Sequence, residues 1–107
     1  MRPRRDWTFL SNHSHVLIAL AKEPDLRIRD LADEVGITER AVAQILTDLE
    51  AAFVLTKERK GRRNAYHINP NVSLRHPVEA HRIVADILHL AQPLQRGVVM
   101  PMRKRSR

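Results

Sequence analysis

The chain has 107 residues and a mass of 12.4 kDa, enough for one small domain with a single core. Nineteen Lys and Arg against twelve Asp and Glu give a formal charge of +7, which favours a polyanionic partner: nucleic acid or an anionic membrane surface. Zero cysteines exclude disulfides, zinc fingers and thiol catalysis, and no apolar run approaches the roughly 20 residues of a membrane span. The opening Met1-Arg2-Pro3-Arg4-Arg5-Asp6 leads into no apolar signal core, so a cytoplasmic, nucleoid-associated protein is expected.

In chain order, residues 1–8 form a basic N-terminal arm, 9–94 the domain, and 95–107 a basic tail expected to be disordered. A first helix is expected from about Ser11 to Lys22. Phe9, Leu10, His13, Val16, Leu17, Leu20 and Ala21 fall on its apolar face, and Ser11 or Asn12 serves as N-cap. Pro24 and Asp25 end it. A short helix fits Ile28 to Val35, stopped by Gly36, and Thr38 caps a third that continues to Ala52. Val54 to Arg59 and Ala65 to Ile68 alternate as two strands around a charged turn, Lys60-Gly61-Arg62-Arg63-Asn64. A last helix is expected at about 77–92, with Pro77 in its first turn and Pro93 as its stop. The order predicts a mainly α chain with a small β-hairpin (α+β).

Leu31-Ala32-Asp33-Glu34-Val35-Gly36-Ile37-Thr38-Glu39-Arg40-Ala41-Val42-Ala43-Gln44-Ile45 has the spacing of a helix-turn-helix. Ala32 is small where two helices cross, Gly36 permits a positive φ, and Val42 and Ile45 fill the space between the helices. The stretch from about Phe9 to Ile68 resembles the winged-helix regulators of the MarR and ArsR type. The resemblance lies in Leu31-Ala32, Val35-Gly36-Ile37-Thr38, Asp48-Leu49-Glu50 and Gly61-Arg62-Arg63-Asn64 followed by Tyr66. It implies a winged helix-turn-helix: three helices, a two-stranded wing and a C-terminal dimerisation helix. Phe53 stands near where such proteins usually carry glycine.

Projected as a helix, 38–52 turns Val42, Ile45, Leu46 and Leu49 inward and Arg40, Gln44 and Thr47 outward. Arginine fits guanine O6 and N7, glutamine fits adenine N6 and N7, and a small alanine can sit against a thymine methyl. Thr38, Arg40, Ala43, Gln44 and Thr47 are therefore the expected base contacts in the major groove. The wing, 57–66, is expected on the backbone or in the minor groove, with Arg59, Lys60, Arg62, Arg63 and Asn64 as contacts. Five basic residues against one acidic between Lys57 and Arg63 exceed what a solvated turn needs. Arg27 and Arg29 are candidate phosphate contacts.

The last helix shows a wide apolar band. Ile83, Val84, Ile87, Leu88, Leu90, Ala91 and Leu94, joined by Ile18 of the first helix, are the expected seam of a homodimer. His81 and His89 are eight residues apart, about 12 Å along a helix, so one ion cannot join them within a subunit. No metal, cofactor or membrane partner is expected, and no effector is indicated. Only three glycines and no paired carboxylates in an apolar setting argue against an enzyme. The alternative functions are a protein-interaction adaptor, whose wing would be neutral and recognition face apolar, and a non-specific architectural DNA-binding protein.

Overall fold

A computed structural model describes residues 7–93 of the chain. Residues 1–6 of the arm, Leu94 and the tail at 95–107 lie outside the described residues, and so do the expectations of tail disorder and of Leu94 in a seam. The element order is α1 (Asn12–Lys22), α2 (Ile28–Val35), α3 (Glu39–Ala51), β1 (Leu55–Lys60), β2 (Arg63–Ile68) and α4 (Val84–Leu88), then a short 3-10 turn at His89–Ala91.

The N-caps form as the sequence predicts. The Ser11 hydroxyl accepts from the Ser14 amide and begins α1, and the Thr38 hydroxyl accepts from the Ala41 amide at 3.0 Å and begins α3. Phe9 therefore precedes α1 rather than lying on its apolar face. It is exposed and stacks edge-to-face on exposed Trp7, with ring centroids 4.8 Å apart.

Helices α2 and α3 both end on a residue in the left-handed region. At α2, Gly36 takes φ +85° while the amides of Gly36 and Ile37 both donate to the Ala32 carbonyl. At α3, Phe53 takes φ +63°, its amide donates to the Glu50 carbonyl, and the Val54 amide donates to the Leu49 carbonyl at 2.9 Å. This is the Schellman pattern, with a phenylalanine where glycine avoids the Cβ penalty. Leu49 and Val54, the two residues bridged by that last hydrogen bond, are both buried.

Val16, Leu20, Leu31 and Val42 are the most deeply buried large side chains, drawn from α1, α2 and α3. Ile45, Leu46, Leu49, Leu55 and Tyr66 extend the same core towards the hairpin. Burial pushes the Tyr66 hydroxyl above its ordinary pKa, with the Glu50 charge adding to it.

The two strands pair antiparallel from Leu55 opposite Ile68 to Lys60 opposite Arg63. The turn is thus shorter than the expected Lys60–Asn64, with only Gly61 and Arg62 between the strands. Gly61 has φ +63°, and a Cβ there would meet nothing within 4 Å; the backbone conformation, not space, favours glycine.

The last helix is much shorter than the expected 77–92. Residues 76–82 turn instead, with the Glu79 amide on the His76 carbonyl and the Arg82 amide on the Glu79 carbonyl. The chain then pairs with 72–74. Ser73 and Ile83 form an antiparallel bridge, the Leu74 amide donates to the Arg82 carbonyl, and the Val84 amide donates to the Val72 carbonyl. Backbone groups spent on that bridge cannot join a helical ladder. α4 starts only after it, where the Asp86 carboxylate accepts from the Ile83 amide at 3.0 Å and binds the Arg82 guanidinium at 2.6 and 2.9 Å.

Val78 accordingly lies exposed in a turn, off any helical band, and Val84, 3% exposed, belongs to the subunit's own core. Leu88 packs against the same core, and Ile83, Ile87 and Ala91 are half-buried. The continuous apolar seam expected along this helix is therefore broken. Among its described members Leu90, 56% exposed, is the most open.

Candidate nucleic-acid interface

Helix α3 presents Arg40, Ala43, Gln44 and Thr47 to solvent on the side opposite buried Val42, Ile45, Leu46 and Leu49. The face predicted from the 3.6-residue period is the observed one. Thr38 is exposed at the helix start, but its hydroxyl oxygen already accepts the Ala41 amide, leaving its O–H free to donate outward.

The wing carries its charge unevenly. Lys60 and Arg62 are exposed beside and at the turn. Arg59 turns back, its Nε donating to the Gly61 carbonyl at 3.1 Å. Arg63 reaches across the molecule, its Nη2 donating to the Asp25 carbonyl at 2.6 Å. The Tyr66 amide donates to the Pro24 carbonyl at 3.2 Å, so two hydrogen bonds tie β2 to the loop between α1 and α2. Glu58 and His67, on neighbouring strands, are joined by a side-chain hydrogen bond that holds the Glu58 carboxyl below its usual range.

These tethers bring separate sequence segments together. Arg27, the N-cap residue of α2, shares one open cleft with Ile28, Arg62, Arg63 and Asn64, floored by Leu26 and Tyr66. Arg29 is exposed in the first turn of α2 but does not line that cleft. Three arginines lining one groove beside a helix N-terminus give a positively charged surface suited to phosphate. Among the described residues no three His, Asp or Glu side chains gather as metal ligands, and no helix is long and apolar enough to cross a membrane.

A helix-turn-helix whose second helix is exposed on one face, followed by a charged hairpin tethered to the loop that precedes its first helix, is a specific arrangement. Residues 11–52 match the family model described as winged helix-turn-helix DNA-binding. The domain has a winged helix-turn-helix fold.

Solved structures carry the same fold. The winged helix is similar to MepR, a transcription regulator of the Staphylococcus aureus multidrug efflux pump MepA, at 15% identity and a TM-score of 0.53, over 76% of this chain and 53% of that one. The PcaV transcriptional regulator from Streptomyces coelicolor, solved with its natural ligand, is 25% identical with a TM-score of 0.52, over 77% and 57%. ZitR from Lactococcus lactis is 16% identical with a TM-score of 0.52, over 85% and 53%. The chain thus matches little more than half the length of each. No curated protein matches it in sequence.

One feature of this winged helix escapes sequence periodicity. His13, expected on an apolar face, is exposed, and its Nε2 lies 2.9 Å from Oδ2 of Asp48 on α3. Oδ1 of the same carboxylate accepts from the Gln44 side-chain amide at 2.9 Å. The i, i+4 spacing of Gln44 and Asp48 is visible in the sequence; the contact with His13, 35 residues from Asp48, is not.

Proposed function

We propose that the chain is a sequence-specific double-stranded DNA-binding transcriptional regulator. Helix α3 enters the major groove, where Arg40 and Gln44 read base edges, Ala43 lies against a thymine methyl, and Thr38 and Thr47 add hydrogen bonds. Lys60, Arg62 and Asn64 of the wing meet the backbone or the minor groove, with Arg59 and Arg63 adding charge behind the tip. Arg27 and Arg29 hold phosphates at the start of α2. The observation that carries this reading is the cleft joining Arg27 to Arg62 and Arg63, because it groups positive charge from the start of α2 and from the wing, in a domain whose α3 presents a polar face to solvent. A protein-interaction adaptor would present a neutral wing and an apolar face; these are basic and polar.

The same reading takes the regulator to be a cytoplasmic homodimer on a two-fold site, as proteins of this shape commonly are. Ile83, Ile87, Leu90 and Ala91, with Ile18 on α1, are the described side chains still available for its seam; Val84 is buried in the subunit's own core. Recognition helices about 34 Å apart would centre half-sites roughly 10–11 bp apart. Selection of bound fragments from a whole genome at near-physiological salt is the test. A common sequence with that half-site spacing is expected, and recovery of fragments without any shared sequence would leave only an architectural role.

A further inference from the structure

The chain His13–Asp48–Gln44 ends on a side chain assigned above to base reading. A glutamine amide presents two ends of nearly equal shape, a carbonyl that accepts and an NH2 that donates, and rotation by a half-turn about χ3 exchanges them. Which end faces where decides whether the side chain matches a base or opposes it. Asp48 Oδ1 receives the Nε2 end at 2.9 Å. The reversed amide would set Oε1 against a carboxylate, acceptor on acceptor, so the carboxylate selects one of the two arrangements.

That choice leaves one N–H and Oε1 of Gln44 unspent. They are the donor and acceptor that adenine N7 and the adenine 6-amino group require. The carboxylate is itself held, because its second oxygen accepts from His13 across the α1–α3 contact. The hydrogen bond from His13, then that from Gln44, keep the Asp48 carboxyl below its ordinary range, and the Arg75 charge acts in the same direction. Asp48 therefore stays charged at neutral pH despite lying beside a surface meant for a polyanion.

We propose that Asp48, anchored by His13, is a positioning residue that fixes the order of donor and acceptor on Gln44 and so sets a preference for adenine at one base pair. The proposal rests on the DNA-reading function above. It has a signature opposite in sign to lost stability. A carboxylate near phosphates opposes binding to every sequence, so its removal strengthens binding to random DNA while weakening discrimination at one position.

The experiment uses the full chain on a selected duplex and on versions carrying each base pair in turn, with a random duplex as reference. The position at which Gln44→Ala flattens the preference identifies the base pair. There, Asp48→Asn, whose amide can meet either end of Gln44, should cut the adenine preference about 3- to 10-fold. Affinity for the random duplex should meanwhile rise about 2- to 5-fold at low salt. His13→Ala should give a smaller loss of preference and His13→Gln, which restores a donor, should recover it. Asp48→Asn should add nothing in the Gln44→Ala background. A full adenine preference in both Asp48→Asn and His13→Ala overturns the proposal, as does a loss of equal size without Gln44. If wild type shows no base preference at any position, the DNA-reading function itself fails. If it shows preferences but Gln44→Ala flattens none, Gln44 is not a reader and only this proposal and that assignment fall.

Discussion

Helix α3 is capped by the Thr38 hydroxyl at its start, closed by a Schellman pattern at its end, and buried along Val42, Ile45, Leu46 and Leu49. In the wing, by contrast, every residue of β1 after Leu55 is exposed, and β2 is tied to the rest of the chain through the Pro24 and Asp25 carbonyls. The two regions carry similar polar side chains on very different platforms. A helix locked on four core side chains can aim a guanidinium or an amide at a base edge, where errors of a few tenths of an ångström cost a hydrogen bond. A hairpin anchored at its base by buried Leu55, Ala65 and Tyr66 but solvated out to its tip can bring charge near a phosphate, an interaction that falls off gently with distance. The proposed base reading therefore belongs on the first and the proposed backbone binding on the second.

The contrast can be broken at its base. Leu46→Ala, at a site 3% exposed, should cost about 2–5 kcal/mol of stability and remove recognition helix and DNA binding together. Thermal melting and a binding assay on the same preparation check this, with Arg62→Ala, expected to melt like wild type, as the control. A step smaller, Arg40→Ala should lose about 1–3 kcal/mol at particular base pairs and relax preference there. Arg62→Ala should instead weaken all sequences alike and reduce the slope of log K against log salt by about 1. Equal loss on every sequence for both variants would remove the distinction.

Much of this was legible in the sequence, for a physical reason. Helix ends at Ser11, Gly36 and Thr38 are set by local hydrogen bonding and backbone freedom, and the inward face of α3 by the helical period. The shortening of α4 was not legible, since Val72 to Leu74 pair with Arg82 to Val84 through backbone groups that every residue possesses. Pro77 looked like a helix start, whereas Asp86, binding the Ile83 amide, marks the real one. The contact of His13 with Asp48 depends on how α1 lies against α3, which periodicity within either helix does not specify.

Two smaller effects sharpen the comparison at the junction and the flank of α3. Phe53 is 79% exposed and left-handed, so Phe53→Gly should relieve about 1–2 kcal/mol of strain and lose roughly 0.5–1 to chain entropy. A net gain of about 0–1.5 kcal/mol in chemical denaturation is expected, and a net loss would show that the left-handed phenylalanine carries no strain. At the flank, the folded-state pKa of Asp48 is depressed, mainly by His13. Its contribution to stability is therefore present above the ordinary carboxylate pKa of about 4 and disappears as pH falls through the lower folded value. Asp48→Asn should flatten the acid side of the stability profile slightly, a change that melting curves between pH 2 and pH 6 will register.

The most direct test of the central claim is the affinity of the wild-type chain for a selected duplex and a random duplex as salt is raised from 50 to 200 mM. With about 6–10 phosphate contacts in the proposed dimer, affinity should fall about 10³–10⁵-fold over that range, with the selected duplex bound more tightly throughout. Undetectable binding to both duplexes at 50 mM would contradict the account.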